Sequence, residues 1–260
     1  MDLGLSGKVA VVTGASRGLG RAIALELARE RCDLAVCARG ERDLAEAVEE
    51  LQSTGAGVFS QVTDVTVPEE IREFVAGAVA SFGGVDVLVN NAGRAVPGNF
   101  ESLTDEDWRG DIDVKLFSMI RCTREVVPHM RGRGGGRIVN INAVLGKAPH
   151  PDFFATSVNR AACLAFTKAL SIELAPEGIL VNTVNIGYVE SSQWERIRER
   201  RAPDVDREQF LRVVIEGQVP LGRFGTAEEV SGIVAFLASE RASYITGASV
   251  DVAGGMGRYL

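Results

Sequence analysis

A doubly wound α/β fold, built on a parallel sheet of about seven strands with helices on both faces, is what this sequence predicts. Three observations predict it. Short β-branched runs alternate with longer helical stretches along the 260 residues. The strand segments read as near-continuous apolar runs, such as VAVV and VDVLV, the pattern of strands buried on both faces. No low-complexity linker separates the two halves. Repeated strand–helix–strand units imply parallel pairing through right-handed crossovers. With no boundary visible, residues 1–260 are read as one domain.

Strands are expected over 8–12, 34–38, 57–61, 85–89, 137–141, 180–185 and 249–252. Helical texture follows the first strand in RAIALELARER and the second in RDLAEAVEELQSTG. The latter is amphipathic and stops at Gly55, a C-terminal cap. Segment 188–217 differs, being charged and rich in arginine (WERIRERR). A mobile lid and a solvated helix pair both fit that texture.

Hydrophobic residues make up 46% of the chain, enough for a core covered on both faces. The net charge of −7 argues against a nucleic-acid or anionic-membrane surface. The four cysteines, Cys32, Cys37, Cys122 and Cys163, lack CxxC spacing and read as structural thiols of a reducing compartment. Two histidines, His129 and His150, are too few for a zinc site, and no metal is expected. The opening MDLGLSGKVAVVTGASRG lacks the regions of a signal peptide. No apolar stretch approaches the roughly 18 residues that span a bilayer. A cytoplasmic enzyme acting on a small molecule is the expectation.

The strongest local signal is Thr13-Gly14-Ala15-Ser16-Arg17-Gly18-Leu19-Gly20, directly after a strand and opening a helix. Glycines there let backbone approach a pyrophosphate, and the helix N-terminus offers free N–H groups and partial positive charge. In this context Gly14, Ser16, Arg17, Gly18, Leu19 and Gly20 form a dinucleotide-binding turn. The second strand ends at Cys37-Ala38-Arg39, where an NAD-binding chain usually carries a carboxylate for the ribose hydroxyls. Arg39 and Arg17 instead offer two guanidinium groups to a 2′-phosphate, so NADP(H) is expected over NAD(H). Ordinary surface charge is the alternative for both arginines.

The chain resembles the short-chain dehydrogenase/reductase family, a Rossmann-type fold, along essentially its whole length. The motifs that carry the resemblance stand in the family's order: TGASRGLG, Asp64-Val65, Asn90-Asn91-Ala92-Gly93, GRIVNI, FTKAL, Val181-Asn182, PLGRFGTAEEV and YITGASVDVAGG. The resemblance implies that Asp64 and Val65 contact adenine and that Asn91, Ala92 and Gly93 line the cofactor groove. It also implies a homo-oligomer, a dimer or tetramer, packed through the helices after the fourth and fifth strands. The apolar run 161–174 is consistent with that.

The family's catalytic set is an asparagine, a serine and a Tyr-x-x-x-Lys pair. Counting back from Phe166-Thr167-Lys168 places Arg160 at the lysine position and Thr156 at the tyrosine position. Ala143 falls at the serine position, and Lys115 replaces the asparagine. Ile186-Gly187 stands where the family has proline and glycine. No Tyr-x-x-x-Lys occurs anywhere in the chain.

A threonine hydroxyl is far too weak an acid to replace that tyrosine. Arg160 can hold ribose hydroxyls but cannot shuttle a proton. Lys115 places a second cation under the site, where desolvation lowers an ammonium into a useful range. A salt bridge to Asp111 or Asp113 is its alternative. His150, with Asp152 in the same loop, is a further candidate proton donor, or a solvated loop histidine. Tyr188 and Trp194 are expected as aromatic pocket walls.

Three functions remain open: hydride transfer from NADPH to an imine or carbonyl substrate, a non-redox lyase or cyclisation enzyme, and a catalytically silent subunit.

Overall fold

The computed structural model describes residues 2–257, with all side chains but those of Ser192, Gln193 and Arg196. Residues 1 and 258–260, which the one-domain expectation includes, lie outside the described residues. Seven parallel strands form one sheet: β1 (Val9–Thr13), β2 (Asp33–Ala38), β3 (Val58–Val62), β4 (Val87–Asn90), β5 (Gly136–Ala143), β6 (Ile179–Ile186) and β7 (Ser249–Val252). Their order is β3-β2-β1-β4-β5-β6-β7. The chain therefore leaves β1 toward one edge and returns at β4 toward the other. The crevice beyond the carboxyl ends of β1 and β4 is the place where such sheets bind ligands.

Side-chain alternation sorts the core into two layers. Ala10 and Val12 of β1 face a layer with Ile23 and Leu27 of α1 (Gly18–Arg29), Leu44 and Leu51 of α2 (Glu41–Ser53), and Val230 and Val234 of α9 (Ala227–Ala238). Val11 faces the opposite layer, with Phe74 of α3 (Pro68–Phe82), Met130 of α5 (Ser118–Gly132) and Leu174 of α6 (Phe154–Leu174). α2 ends at Thr54, and Gly55 follows with φ of +89°, a conformation glycine takes without strain.

β5 and β6 run a little longer than expected, β5 by Gly136, Asn142 and Ala143 and β6 by Ile179 and Ile186. Asn140, Asn142 and Asn185 are fully buried. Such amides are tolerated in a sheet only when hydrogen-bonded. Asn90 Nδ2 donates to Asn140 Oδ1 at 2.9 Å, Asn140 Nδ2 to Thr167 Oγ1 at 2.9 Å, and Asn142 Nδ2 to Asn185 Oδ1 at 3.2 Å.

α4 (Asp105–Ile112) starts with a capping box, Thr104 Oγ1 accepting from the Asp107 N–H at 3.2 Å while the Thr104 N–H donates to Asp107 Oδ2 at 2.9 Å. It passes into α5 through one π-helical turn, Asp113–Phe117. Segment 188–217 holds two helices, α7 (Ser192–Arg201) and α8 (Arg207–Ile215).

All four cysteines are buried free thiols. Burial pushes the Cys32 and Cys122 thiols up to about 12, and thiolate is the reactive form. Titration of the native protein at pH 8 with a thiol-reactive chromophore is expected to label essentially none of them until it is unfolded. Among the described residues, no helix is long and apolar enough to cross a membrane. Nor do they hold a His, Cys, Asp and Glu cluster that could take a metal ion.

Candidate active site

The glycine turn is stapled to the end of β4. Asn91 Nδ2 donates to the Thr13 and Gly14 carbonyls at 2.9 and 3.2 Å, and the Asn91 and Ala92 N–H groups donate to Thr13 Oγ1 at 3.0 and 3.1 Å. Gly14 and Gly18 have φ of +69° and +54°. A Cβ on Gly20 would overlap the Gly14 carbonyl oxygen, so α1 starts hard against the turn. Arg17, the N-cap, makes no side-chain cap. The first N–H groups of α1, around Leu19 and beside buried Ser16, are thus left for an anion. This cradle fits a pyrophosphate.

Arg17 stands at the N-cap of α1 and Arg39 directly follows β2, the strand paired with β1. Each has a distant carboxylate, Asp43 at 3.7 Å from Arg17 and Asp64 at 3.7 Å from Arg39, and each is more than half exposed. Exposed pairs of this kind are worth about 0–1 kcal/mol, so neither guanidinium is locked away from a ligand. Asp64 Oδ1 accepts from the Thr66 N–H and hydroxyl at 2.9 and 2.8 Å, which fixes the turn that also buries Val65. At the far edge Ile186 ends β6, and the Gly187 N–H donates to the Val252 carbonyl at 3.0 Å. A Cβ on Gly187 would stand 2.8 Å from Ala253, which makes glycine necessary there.

Lys115 lies in the π turn with its side chain 1% exposed. Its ammonium donates to Asp111 Oδ1 and, at 2.9 Å, to Thr156 Oγ1. Asn159 Nδ2 donates to the other Asp111 oxygen at 2.8 Å. Of the two carboxylates weighed from the sequence, Asp111 is therefore the partner; Asp113 pairs with Arg121 at 2.7 Å. Burial, reinforced by the nearby Arg160 charge and opposed by Asp111, brings the Lys115 ammonium down from 10.5 to about 8. Among the described residues, the further contacts of Thr156 Oγ1 are weak, with the Val96 N–H and carbonyl, both at 3.4 Å. Its hydroxyl is thus fed by an ammonium on one side and lightly held on the other.

Arg160, one turn along α6 from Thr156, donates from Nη1 to the Ile141 carbonyl at 2.8 Å, and its own carbonyl accepts from Asn142 Nδ2 at 3.1 Å. Its Nη2 lies 3.3 Å from the position a Cβ on Gly93 would take, so the guanidinium faces the Asn91–Ala92–Gly93 segment. Its Nε is buried without a partner, as is Asn142 Oδ1. An orphaned donor at the switch point fits a hydroxyl-bearing ligand such as a nucleotide ribose.

The structure thus brings Lys115, Thr156 and Arg160 together, with Asp111 and Asn159. His150 stands apart. Its ring lines a separate cavity of about 260 Å³ with Pro149, Pro151, Phe154, Ser157 and Val158, and Nδ1 accepts from the Asp152 N–H at 3.2 Å. Tyr188, Trp194 and Phe224 pack on one another with ring centroids 5.1–5.8 Å apart. With Leu211, Val214, Ile215 and Val219 they form a small apolar cluster separate from the two main core layers. Arg201, at the end of α7, lies 6.0 Å from the Phe153 ring beside α6. Asn142 and Asn159 escaped the sequence reading; the one signal for Asn159 was its i+3 spacing from Thr156, which gives them one helix face.

A phosphate-cradling turn at the switch point of a doubly wound sheet defines a nucleotide-binding α/β protein. Comparison with known proteins narrows this. A family model described as enoyl-(acyl carrier protein) reductase matches residues 14–257. The 3-oxoacyl-(acyl-carrier-protein) reductase FabG of Staphylococcus epidermidis is 38% identical over 250 residues, covering 96% of this chain and 98% of that protein. L-sorbose reductase from Gluconobacter frateurii, solved with NADPH and L-sorbose, superposes with a TM-score of 0.97 at 35% identity over 100% of both chains. An NADPH-bound short-chain oxidoreductase from Pseudomonas aeruginosa PAO1, described as containing an atypical catalytic center, gives 0.92 at 35% identity over 99% of both. The chain belongs to the short-chain dehydrogenase/reductase family.

Proposed function

We propose that this protein is an NADP(H)-dependent oxidoreductase that reduces a carbonyl or imine carbon of a small molecule, with Lys115 supplying the proton through Thr156. The observation that carries the reading is the 2.9 Å contact from the Lys115 ammonium to Thr156 Oγ1 in a buried cluster. All four positions of the family's usual catalytic set are substituted here, as Lys115, Ala143, Thr156 and Arg160. When bound, NADPH supplies the hydride. The α1 N-terminus and Gly14–Gly20 turn hold its pyrophosphate, Arg17 and Arg39 its 2′-phosphate, and the free edge of Arg160 its nicotinamide-side ribose. NADPH-bound relatives of the same fold support that assignment.

Thr156 hands its hydroxyl proton to the substrate heteroatom and takes one from Lys115, which ends as a neutral amine. Threonine then needs no acidity of its own, since it never holds a net charge. The buried Lys115 and Arg160 cations outnumber the one Asp111 carboxylate, and that net positive charge favours the negative charge that grows on a carbonyl oxygen over an iminium that arrives already positive. A neutral carbonyl is therefore the better substrate class. Among the described residues His150 makes no hydrogen bond to Lys115, Thr156 or Arg160, which favours its solvated-loop alternative. Segment 188–217 is the lid over the substrate side, and the setting is cytoplasmic.

Titration with NADPH, NADP⁺, NADH and NAD⁺, followed by a screen of ketones, aldehydes and imines, tests the reading. NADPH is expected to bind well ahead of NADH, and R17A and R39A are each expected to cost about 10- to 100-fold in NADPH affinity, the range for hydrogen bonds to a charged group. Binding of none of the four overturns it. Turnover undiminished without dinucleotide points to a lyase-type activity, and turnover only with a second protein points to a silent subunit.

A homo-oligomer, dimer or tetramer, belongs to the same proposal. Val158 and Ile172 of α6 are 49% and 68% exposed, in one stripe with exposed Ala161, Ala165 and Ala169, and Phe117, just before α5, is exposed as well. I172R is expected to shift the mass measured by light scattering toward the monomer with the fold unchanged.

A further inference from the structure

We propose that Asp111, braced by Asn159, is the positioning residue that keeps Lys115 charged and aimed at Thr156. The inference rests on the reading of Lys115 as proton source. Asp111 is 0% exposed, and its two oxygens are divided between two donors on different elements, Lys115 in the π turn and Asn159 on α6. Thr156 and Asn159 are three residues apart on α6, so both reach back to the α4 side. Asp111, Lys115, Thr156 and Asn159 thus close a four-membered brace across α4, the π turn and α6.

The charges facing Lys115 decide what this brace does. Arg160 on α6 repels the ammonium, and burial strips it of water. The Cys163 thiol, whose sulfur lies 3.9 Å from the Lys115 carbonyl, is buried and raised, so it stays neutral. Asp111 is the formal negative charge in contact with the group. Without it, desolvation and Arg160 act together, and Lys115 loses its proton at neutral pH. Asn159 cannot alter that charge. It occupies Oδ2, which leaves Oδ1 turned toward Lys115 and satisfies a fully buried carboxylate.

The chain contains four lysines, Lys8, Lys115, Lys147 and Lys168, so Cε-labelled lysine gives four resolvable carbon signals for an NMR titration of the full-length protein. Wild-type Lys115 is expected to titrate near 8. In D111N its midpoint falls by about 1–3 pH units, the effect of removing an opposite charge in contact, and the alkaline limb of kcat falls by the same amount. In T156A, which removes only the neutral acceptor, the midpoint stays within about half a unit. A D111N midpoint unchanged, or a T156A shift larger than that of D111N, overturns the proposal. If D111N does not fold, T156A alone decides: a steady midpoint supports Asp111 as the controlling partner, and a fall of a unit or more overturns it. A midpoint that moves in D111N while the kcat profile stays in place upholds Asp111's hold on Lys115 and sinks Lys115 as the proton source.

Discussion

Removing the Lys115 ammonium is expected to lower kcat for carbonyl reduction by about 10²- to 10⁴-fold, the usual worth of a general acid, with the Kd for NADPH within a few-fold of wild type. The substitution needs care. K115M alone leaves the Asp111 carboxylate buried without its cation, a change that costs about 3–5 kcal/mol and confuses inactivity with unfolding. The double variant D111N/K115M removes both charges, and such replacements are often neutral in stability. It should melt near the wild-type temperature, bind NADPH and turn over slowly. Wild-type kcat for reduction should fall as pH rises through about 8, because the donor form is the protonated one. Oxidation in the reverse direction should rise over the same range. The stability linkage carries its own sign. Lys115 titrates lower in the folded chain than its ordinary 10.5, so between about 8 and 10.5 the unfolded chain binds the extra proton and this group's contribution to stability rises with pH. A reduction rate flat from pH 7 to 9.5 in a stable wild-type protein removes Lys115 from the mechanism.

The other large effect is expected at Gly20. A side-chain carbon there overlaps the Gly14 carbonyl and crowds Asn91 Nδ2, the two groups that hold turn and β4 together. Either α1 backs away from the turn or the turn deforms, and both separate the helix N-terminus from the seat it provides. Overpacking strain of about 1–3 kcal/mol corresponds to about 5- to 150-fold in dinucleotide affinity. G20A should show that loss with a lowered melting temperature. Gly18 is the control, since a Cβ there meets nothing within 4 Å and only its φ of +54° resists the change, about 1–2 kcal/mol of backbone cost. Calorimetric titration with NADPH that ranks G18A as the more damaging variant would contradict this account of the turn.

The sheet was legible in the sequence because its signal is local: apolar runs of strand length between helical stretches, and a last strand expected and found at Ser249–Val252. β5 was under-read at its end, where Asn142 looks like a loop residue until its Nδ2 is seen to donate to Asn185 Oδ1 on the neighbouring strand. The cofactor cradle was legible for the same local reason, since the turn and the helix it opens are contiguous. The Lys115 cluster was only half visible. Its i,i+4 relation to Asp111 is written in the chain, whereas Thr156 and Asn159 lie 41 and 48 residues away from their partners and meet them through the packing of two helices. Nothing in DIDVKLF distinguishes a π turn from an α turn, because the residue types suit either.

That turn makes the spacing of the chain part of the chemistry. A π turn carries one residue more than the α-helix around it needs, and deleting that residue lets the segment close into regular α-helix. Each residue of an α-helix turns the chain by about 100°, so the deletion would swing α4 and Asp111 around the axis relative to α5. Every side chain of the cluster would survive, yet Lys115 and Asp111 would no longer both face Thr156 and Asn159. The length of this helix is therefore as specific as its residues, and a relative that keeps Lys115 but lacks the extra residue has lost the geometry that gives the lysine its use.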